Sequence, residues 1–192
     1  MDTFISSPRL LFREWREEDK EELFIAASDS EIGPMAGWQP HRSVEESFSV
    51  IRNILSEENT FAIIEKESGK IVGSTGLFTP QEKTIEKGKD EIEVGYWISR
   101  DKWGMGYATE TVKRMLEYAF ETLKMEKVWC GAFVGNTRSI RVQEKCGFVY
   151  SHEEEVHVTP LNEDRTERFS YITKEDWKKS KKSELSLLSM IR

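Results

Sequence analysis

The residues whose types and spacing most clearly indicate a chemical role are two closely spaced glycines, Gly104 and Gly106. They lie between a predicted strand and a predicted helix. The first turn of a helix leaves several backbone N–H groups without partners and carries about half a positive charge, so it attracts an anion. Because glycine lacks a Cβ and adopts positive φ, both residues can bring their amides close to a bulky ligand. The loop therefore predicts a binding site for a phosphate group, and a diphosphate suits it.

The spacing of the glycines distinguishes this loop from two known kinds of phosphate-binding loop. A P-loop has two glycines five residues apart followed by Lys and Ser or Thr, and this pattern is absent. A dinucleotide-binding loop would have Gly or Ala where Thr109 stands, and an acidic residue at the end of the next strand, whereas Glu126 precedes that strand. Both are disfavoured, but the glycines alone leave open a plain strand-to-helix turn without a ligand.

Strands and helices alternate around this loop. Hydrophobic patterning predicts strands at Leu10 to Trp15, Phe61 to Glu65, Ile71 to Phe78, Glu91 to Ser99, Val128 to Val134, Phe148 to Val158 and Arg168 to Thr173. Helical spacing predicts helices at Asp19 to Ala27, Ser43 to Leu55, Tyr107 to Leu123 and Ser139 to Lys145. Asp19 is the expected N-cap of the first helix, and Ser43 with Glu46 forms a capping-box signature for the second. The order predicts an α/β fold.

Composition limits the kinds of partner. The chain has 192 residues and a formal net charge of -7, which favours a cationic partner over nucleic acid. Residues 1–177 are expected to form one domain, and residues 178–192 a basic tail. No apolar run approaches the ~20 residues that span a bilayer and the start does not resemble a secretory signal, so we expect a cytoplasmic protein without membrane contact. Neither Cys130 nor Cys146 has a neighbour at metal-ligand spacing, so we expect no metal.

Two motifs carry a family resemblance. The stretch Trp103 to Glu110 resembles the coenzyme A loop of the GNAT acetyltransferases, in particular the branch that acetylates the N-termini of ribosomal proteins. The stretch Asn136 to Phe148 resembles a later motif of that branch: an Asn, a Ser three residues on, then Lys-x-Gly-Phe. Shorter matches lie at Arg9 to Arg13, Trp38 to His41 and Glu93 to Ile98, so about residues 8–177 are covered. One departure is Trp103, where the family usually has Arg or Gln.

The resemblance implies a fold and a co-substrate. The fold is the α/β GNAT fold: a mixed, mostly antiparallel sheet with helices on both faces and a splayed central pair of parallel strands, ending at Ser99 and beginning near Val128. Acetyl-CoA is the implied co-substrate, with its pantetheine arm in the gap between these strands. The implied acetyl-CoA contacts are Trp97, Ile98, Ser99, Trp103, Gly104, Met105, Gly106, Tyr107, Ala108, Thr109, Asn136 and Ser139.

Amine acetylation needs a neutral amine, so the proton must be removed first. At pH 7 this costs about 1.4 kcal/mol for an α-amino group of pKa ~8 and about 4.6 kcal/mol for a Lys of pKa ~10.4. Glu93 is the candidate base, because strand alternation places it and Glu91 on one face beside the expected acetyl site. Both could equally be solvated acidic residues. A backbone N–H near Ile98 is the expected oxyanion donor.

Two further questions are which residue donates a proton to the departing thiolate and which amine is the acceptor. Many family members protonate the thiolate with a Tyr, but Gln143 stands at that position, so Ser139 is the implied donor; it could instead cap its helix. Trp38 and His41 are expected to border the acceptor pocket, although Trp38 could simply anchor its loop. The expected acceptor is a protein N-terminus, for example of a basic ribosomal protein. The alternatives are a small amine (a polyamine, amino acid or antibiotic) or coenzyme A binding without turnover, in a monomer or homodimer.

Overall fold

The computed structural model describes residues 5–79 and 90–190, which form one eight-stranded sheet. The strands are β1 (Ile5–Ser6), β2 (Leu10–Glu14), β3 (Thr60–Glu65), β4 (Ile71–Phe78), β5 (Glu91–Ile98), β6 (Lys127–Phe133), β7 (Val149–Val158) and β8 (Glu163–Thr173). Their spatial order is β1-β2-β3-β4-β5-β6-β8-β7, and β5 and β6 form the parallel pair among otherwise antiparallel neighbours. The predicted mixed, mostly antiparallel sheet is confirmed. Most of the segment between β4 and β5 falls outside the described residues.

The helices follow the predicted order, with two additions, one between the first and second predicted helices and one at the C-terminal end of the described residues. They are α1 (Lys20–Ala27), α2 (Gly33–Ala36), α3 (Val44–Val50), α4 (Tyr107–Glu117), α5 (Thr137–Lys145) and α6 (Lys174–Met190); π-helical turns at Ile51–Leu55 and Tyr118–Thr122 extend α3 and α4. Helix α2 lies in a stretch rich in glycine and proline, residues that usually interrupt helices. Pro34 lies in its first turn and Gly37 ends it at φ +92°, positions where each residue is compatible with a helix.

The predicted helix caps are corrected in two places. Asp19 occupies the N-cap position of α1 but does not cap it. Its carboxylate instead accepts hydrogen bonds from the Arg13 guanidinium at 2.6 and 2.8 Å and from the Arg16 N–H at 2.9 Å. The Ser43 hydroxyl does accept from the Glu46 N–H at 3.2 Å, but the Glu46 carboxylate accepts from the Arg42 N–H and so leaves the capping box half formed.

Both faces of the sheet are covered by helices. On one face, Val112 and Met115 of α4 pack with Val94 and Val128 of the central strands in the larger core. On the other, Leu23 of α1 packs in a second cluster with residues of β2, β3 and β4. This arrangement buries apolar surface on each side of the central strands and fixes the strand ends in place. Among the described residues no helix is long and apolar enough to span a membrane.

Helix α6 crosses the predicted boundary between residues 177 and 178 without a break. The Trp177 ring is buried and lies 5.2 Å from the Phe120 ring. The Lys181 ammonium pairs with Glu117 at 2.8 Å. The first part of the predicted tail therefore packs on the helix that follows the glycine loop.

Candidate active site

The central parallel strands diverge after a short paired region. The ladder between β5 and β6 joins Glu91–Glu93 to Lys127–Trp129 and then stops. Beyond it, β5 continues to Ile98 paired with β4, and β6 continues to Phe133 paired with β8. Because backbone groups at a strand edge need hydrogen-bond partners, the gap can accept an extended polar ligand in place of a strand. This is the predicted splay.

A cavity of about 370 Å³ lies where the strands diverge. Ten of the twelve residues predicted to contact acetyl-CoA line it, all except Ser99 and Met105. Glu31, Ile32, Met35 and Ala36 from the segment around α2 also line it, and no sequence motif indicated them. The cavity thus brings together the glycine loop, the free end of β5 and the start of α5.

The glycine loop has the conformation that its sequence predicts. Gly104 (φ +79°) and Gly106 (φ +82°) lie in the left-handed region, and Gly106 is the N-cap residue of α4. No atom lies within 4 Å of the position that a Cβ on Gly104 would occupy, so the backbone faces open space. The first turn of α4 therefore presents its N–H groups beside the cavity, and this geometry fits a diphosphate.

Side chains fix this loop from two sides. The Arg9 guanidinium donates to the Met105 carbonyl at 2.9 Å and to Glu110 at 2.7 Å, and it lies 4.3 Å from the Tyr107 ring centroid. On the other side, buried Glu65 accepts from the Tyr107 hydroxyl at 2.6 Å and from the Lys102 ammonium at 2.9 Å. Hydrogen bonds from Ser68, Tyr107 and Lys102 lower the pKa of Glu65 to about 2. Glu65 lies in no motif, and sequence reasoning missed it.

Trp103 and the end of β5 are linked. The Trp103 indole N–H donates to the Ile98 carbonyl at 2.8 Å, and the Arg138 guanidinium lies 4.2 Å from the indole ring centroid. The Ser99 N–H donates to the Val72 carbonyl at 2.8 Å. The Ile98 carbonyl and the Ser99 N–H, which belong to two of the residues expected to contact acetyl-CoA, are therefore engaged within the protein. Trp103, the departure from the family pattern, joins the loop to β5 and α5.

Ser139 is not the cap of its helix. Asn136 occupies the N-cap position of α5, and its side-chain oxygen accepts from the Ser139 N–H at 3.1 Å. The Ser139 hydroxyl lies 2.9 Å from the hydroxyl of Tyr96, on β5 across the cavity. Burial raises the pKa of Tyr96, with a smaller effect from Cys130. Sequence reasoning placed Tyr96 in a motif but gave it no role.

Two carboxylates meet over Gly131 of β6. A Cβ on Gly131 would overlap the Glu167 carboxylate and lie 3.3 Å from Glu93 Oε1. Burial, and then the charge of Glu93, raise the pKa of Glu167 to about 7. Sequence reasoning selected Glu93 but missed Glu167; a glycine inside an apolar strand was the available signal, since it marks a close approach. Glu91 is held elsewhere, by the Lys127 ammonium and the Trp129 indole N–H, both at 2.7 Å.

Trp38 and His41 lie together beside β5. The Trp38 ring is 5.4 Å from the His41 ring and 6.2 Å from the Trp97 ring. The His41 imidazole is 2.7 Å from the Ser47 hydroxyl, and burial lowers the pKa of His41, so its ring is neutral near pH 7. The aromatic group therefore both fixes the loop after α2 and forms a wall next to Trp97. Within residues 5–79 and 90–190, no group of three or more His, Cys, Asp or Glu could hold a metal ion.

Comparison with known proteins agrees with this geometry. Residues 9–149 match the family model described as the acetyltransferase (GNAT) domain. An uncharacterised N-acetyltransferase, p20, of Bacillus licheniformis is 30% identical over 145 residues, which are 73% of this chain and 79% of that protein. The chain belongs to the GNAT family and is an acetyltransferase, and enzymes of this family use acetyl-CoA.

Two other similar proteins differ in the acceptor that their names give. A Bacillus subtilis protein provisionally named ribosomal N-acetyltransferase YdaF is 39% identical over 59 residues, 31% of this chain and 32% of that one. The crystal structure of spermidine N-acetyltransferase from Vibrio cholerae, in complex with CoA and spermine, has a TM-score of 0.72 at 17% identity. It covers 89% of this chain and 99% of its own, and this likeness concerns the fold.

Proposed function

We propose that this acetyltransferase moves the acetyl group of acetyl-CoA to the α-amino group of a protein N-terminus. The observation that carries the proposal is the pair of carboxylates, Glu93 and Glu167, over Gly131 at the point where β5 and β6 separate. A base must lie where the amine meets the thioester, and the splay is where the two can meet. The partial identity to a protein named as a ribosomal N-acetyltransferase agrees with this acceptor.

The lower pKa of an α-amino group favours it over lysine as the acceptor. Glu167 has a pKa of about 7. Proton transfer to such a base is uphill by about 1.4 kcal/mol from an α-amino group of pKa ~8, and by about 4.6 kcal/mol from a Lys of pKa ~10.4. The difference of about 3 kcal/mol is more than a hundredfold in rate, because each 1.36 kcal/mol is tenfold. A carboxylate with this pKa, Glu167 beside Glu93, therefore suffices for a peptide N-terminus.

The other residues have binding and positioning roles in this proposal. The N–H groups from Gly104 to Thr109 bind the diphosphate, and Asn136 and the backbone near Trp97 bind the pantetheine arm. The N–H near Ile98 donates to the thioester oxygen as it gains negative charge, and a fixed backbone dipole needs no reorganisation for this. Ser139 donates a hydrogen bond to the departing sulfur. Trp38, His41 and Glu91 are proposed to shape the acceptor side, where Trp38 and Trp97 form the wall.

A small polyamine is the second candidate acceptor. The aromatic wall of Trp38 and Trp97 could hold a cation, as aromatic faces do. The nearby Glu93 and Glu167 would add attraction for a second ammonium group. A structural neighbour bound to CoA and spermine has the same fold.

Binding of acetyl-CoA is tested by calorimetry on the wild type and Gly106→Glu, whose carboxylate would lie against the diphosphate. Gly69→Glu is the matched control, because Gly69 is also left-handed (φ +70°), has open space around its Cβ position and lies in the turn between β3 and β4. We expect micromolar binding in the wild type and the control, and its loss in Gly106→Glu. Equal binding by all three proteins would contradict the proposed diphosphate site.

The acceptor is tested by release of free CoA. The panel is a peptide with a free N-terminus, the same peptide N-acetylated and carrying one Lys, and a polyamine. We expect turnover with the first peptide and little with the second. Preference for the polyamine would select the second candidate, and acetyl-CoA binding with no product over any acceptor would support a coenzyme A-binding protein without turnover.

A further inference from the structure

Tyr96 and Ser139 face each other across the cavity from different elements. Tyr96 lies near the end of β5, past the last residue that pairs with β6, and Ser139 lies in the first turn of α5. Their hydroxyl oxygens are 2.9 Å apart, and both residues line the cavity. Among the described residues this is the contact that each hydroxyl makes. The Ser139 N–H is already bound by Asn136, so only the hydroxyl of Ser139 is available for other contacts.

The direction of this hydrogen bond decides what Ser139 can do. A serine hydroxyl has one proton to donate and two lone pairs, so it can accept and donate at once. Tyr96 keeps its proton at neutral pH, because burial raises its pKa. A partly buried phenol O–H needs an acceptor, and Ser139 Oγ provides one. If Tyr96 donates, the Ser139 proton is left to point into the cavity.

We propose that Tyr96 is a positioning residue: its hydroxyl donates to Ser139 Oγ and so directs the Ser139 proton toward the sulfur of the bound thioester. The inference rests on the proposed acetyl transfer, but not on the identity of the acceptor. It assigns to Tyr96 on β5 a part of the task that other members of the family give to a Tyr on the later helix, where Gln143 stands here. Gln143 is fully buried and its side-chain amide donates to the Gly131 carbonyl of β6 at 3.4 Å, so its contact is with the sheet.

Neither the Tyr96 hydroxyl nor the Ser139 hydroxyl loses its proton in the acetyl-transfer step. The amine nitrogen forms a bond to the carbonyl carbon, the C–S bond breaks, and its electron pair remains on the sulfur. Ser139 donates a hydrogen bond to that sulfur while it is negatively charged, and Tyr96 donates to Ser139. The proton that converts the thiolate to the free thiol is the one that the amine loses through the carboxylate pair. Hydrogen bonds to a charged acceptor are about twice as strong as neutral ones, so the pair acts mainly after C–S cleavage begins.

The test is the pKa of the CoA thiol in its complex with the enzyme, followed by the ultraviolet absorbance of the thiolate. Lys102, Arg138, Arg141, Lys145 and Glu31 also line the cavity, and Cys130 and Cys146 lie near Tyr96, so only differences between variants are diagnostic. We expect Ser139→Ala to raise the pKa of bound CoA by about one unit, a tenfold change in thiolate stability. Tyr96→Phe should raise it in the same direction by about half as much, and the double variant should match Ser139→Ala alone.

Steady-state kinetics give a second readout. Tyr96→Phe should lower kcat about threefold and Ser139→Ala about tenfold, with KM for acetyl-CoA nearly unchanged, and the effects should again not add. Tyr118→Phe is the matched control, because its hydroxyl donates to Asn59 at 3.2 Å and does not line the cavity. Additive effects, or a bound-thiol pKa that Tyr96→Phe leaves unmoved, would overturn the positioning role. Failure of amine acetylation alone would leave the thiol measurement intact.

Discussion

Replacing Glu167 with glutamine removes a carboxylate from a place that disfavours its charge. Burial and the neighbouring Glu93 raise the pKa of Glu167 from 4.5 to about 7. Burial raises the pKa of the Cys130 thiol, and the charges of Glu93 and Glu167 raise it further. Glu154 is the cross-strand neighbour of Glu167 on β7, and Arg168 follows it on β8. A carboxyl whose pKa is higher in the folded state holds its proton more tightly there than in the unfolded chain.

The size and sign of the effect follow from this shift. A rise from 4.5 to about 7 corresponds to ~3 kcal/mol at 1.36 kcal/mol per pH unit. The protonated form contributes full stability below about pH 4.5, and this contribution is lost as the pH rises to about 7. Glutamine keeps the shape and carries no charge at any pH. Glu167→Gln should therefore match the wild type near pH 4.5 and be more stable by up to ~3 kcal/mol at pH 8, although it loses acetyl transfer.

Urea unfolding between pH 4.5 and 8 measures the effect. The control is Glu155→Gln on β7, an exposed carboxylate opposite Thr166, which should change stability little across this range. Glu93→Gln should recover part of the stability, because it removes one of the two causes of the shift. A free-energy difference between Glu167→Gln and the wild type that stays constant with pH would refute the buried, charge-coupled pair. Full activity of Glu167→Gln would refute its role as base.

Two further variants test the neighbouring contacts. Glu65→Gln removes the charge that binds Tyr107 and Lys102, so it should lower stability by about 1.5–3 kcal/mol and raise KM for acetyl-CoA severalfold with little change in kcat. Because the folded pKa of Glu65 is about 2, this stabilisation should be present above pH 4.5 and be lost as the pH falls toward 2, which acid unfolding of the two proteins measures. Gly131→Ala places a Cβ against the Glu167 carboxylate, so kcat should fall about tenfold while calorimetry shows unchanged acetyl-CoA binding. A Gly131→Ala enzyme with wild-type kcat would contradict the placement of Glu167 at the reacting amine.

Local sequence patterns were enough to predict most of the strands and helices and the conformation of the glycine loop. The strands β2 to β8 and the helices α1, α3, α4 and α5 lie where the sequence pattern predicts them, and Gly104 and Gly106 have the positive φ that such a turn requires. Three residues could not be found in this way, because their roles depend on partners distant in sequence. Glu65 binds Tyr107 from 42 residues away, Tyr96 meets Ser139 from 43 residues away, and Glu167 reaches Glu93 only through the pairing of β8 with β6. A sequence periodicity contains no signal for such pairs.

A single strand, β5, contributes residues to both the acceptor end and the leaving-group end of the reaction. Glu93 and Tyr96 are three residues apart on β5, an odd spacing that places their side chains on opposite faces of the sheet. In an intact sheet those faces would be isolated from each other by the ladder to β6. Here the ladder ends at Glu93, so a thioester in the gap can meet the carboxylates on one face and the Tyr96 and Ser139 hydroxyls on the other. The carboxylates that take the proton from the amine and the hydroxyls that stabilise the departing sulfur thus act on the thioester from opposite faces of the sheet.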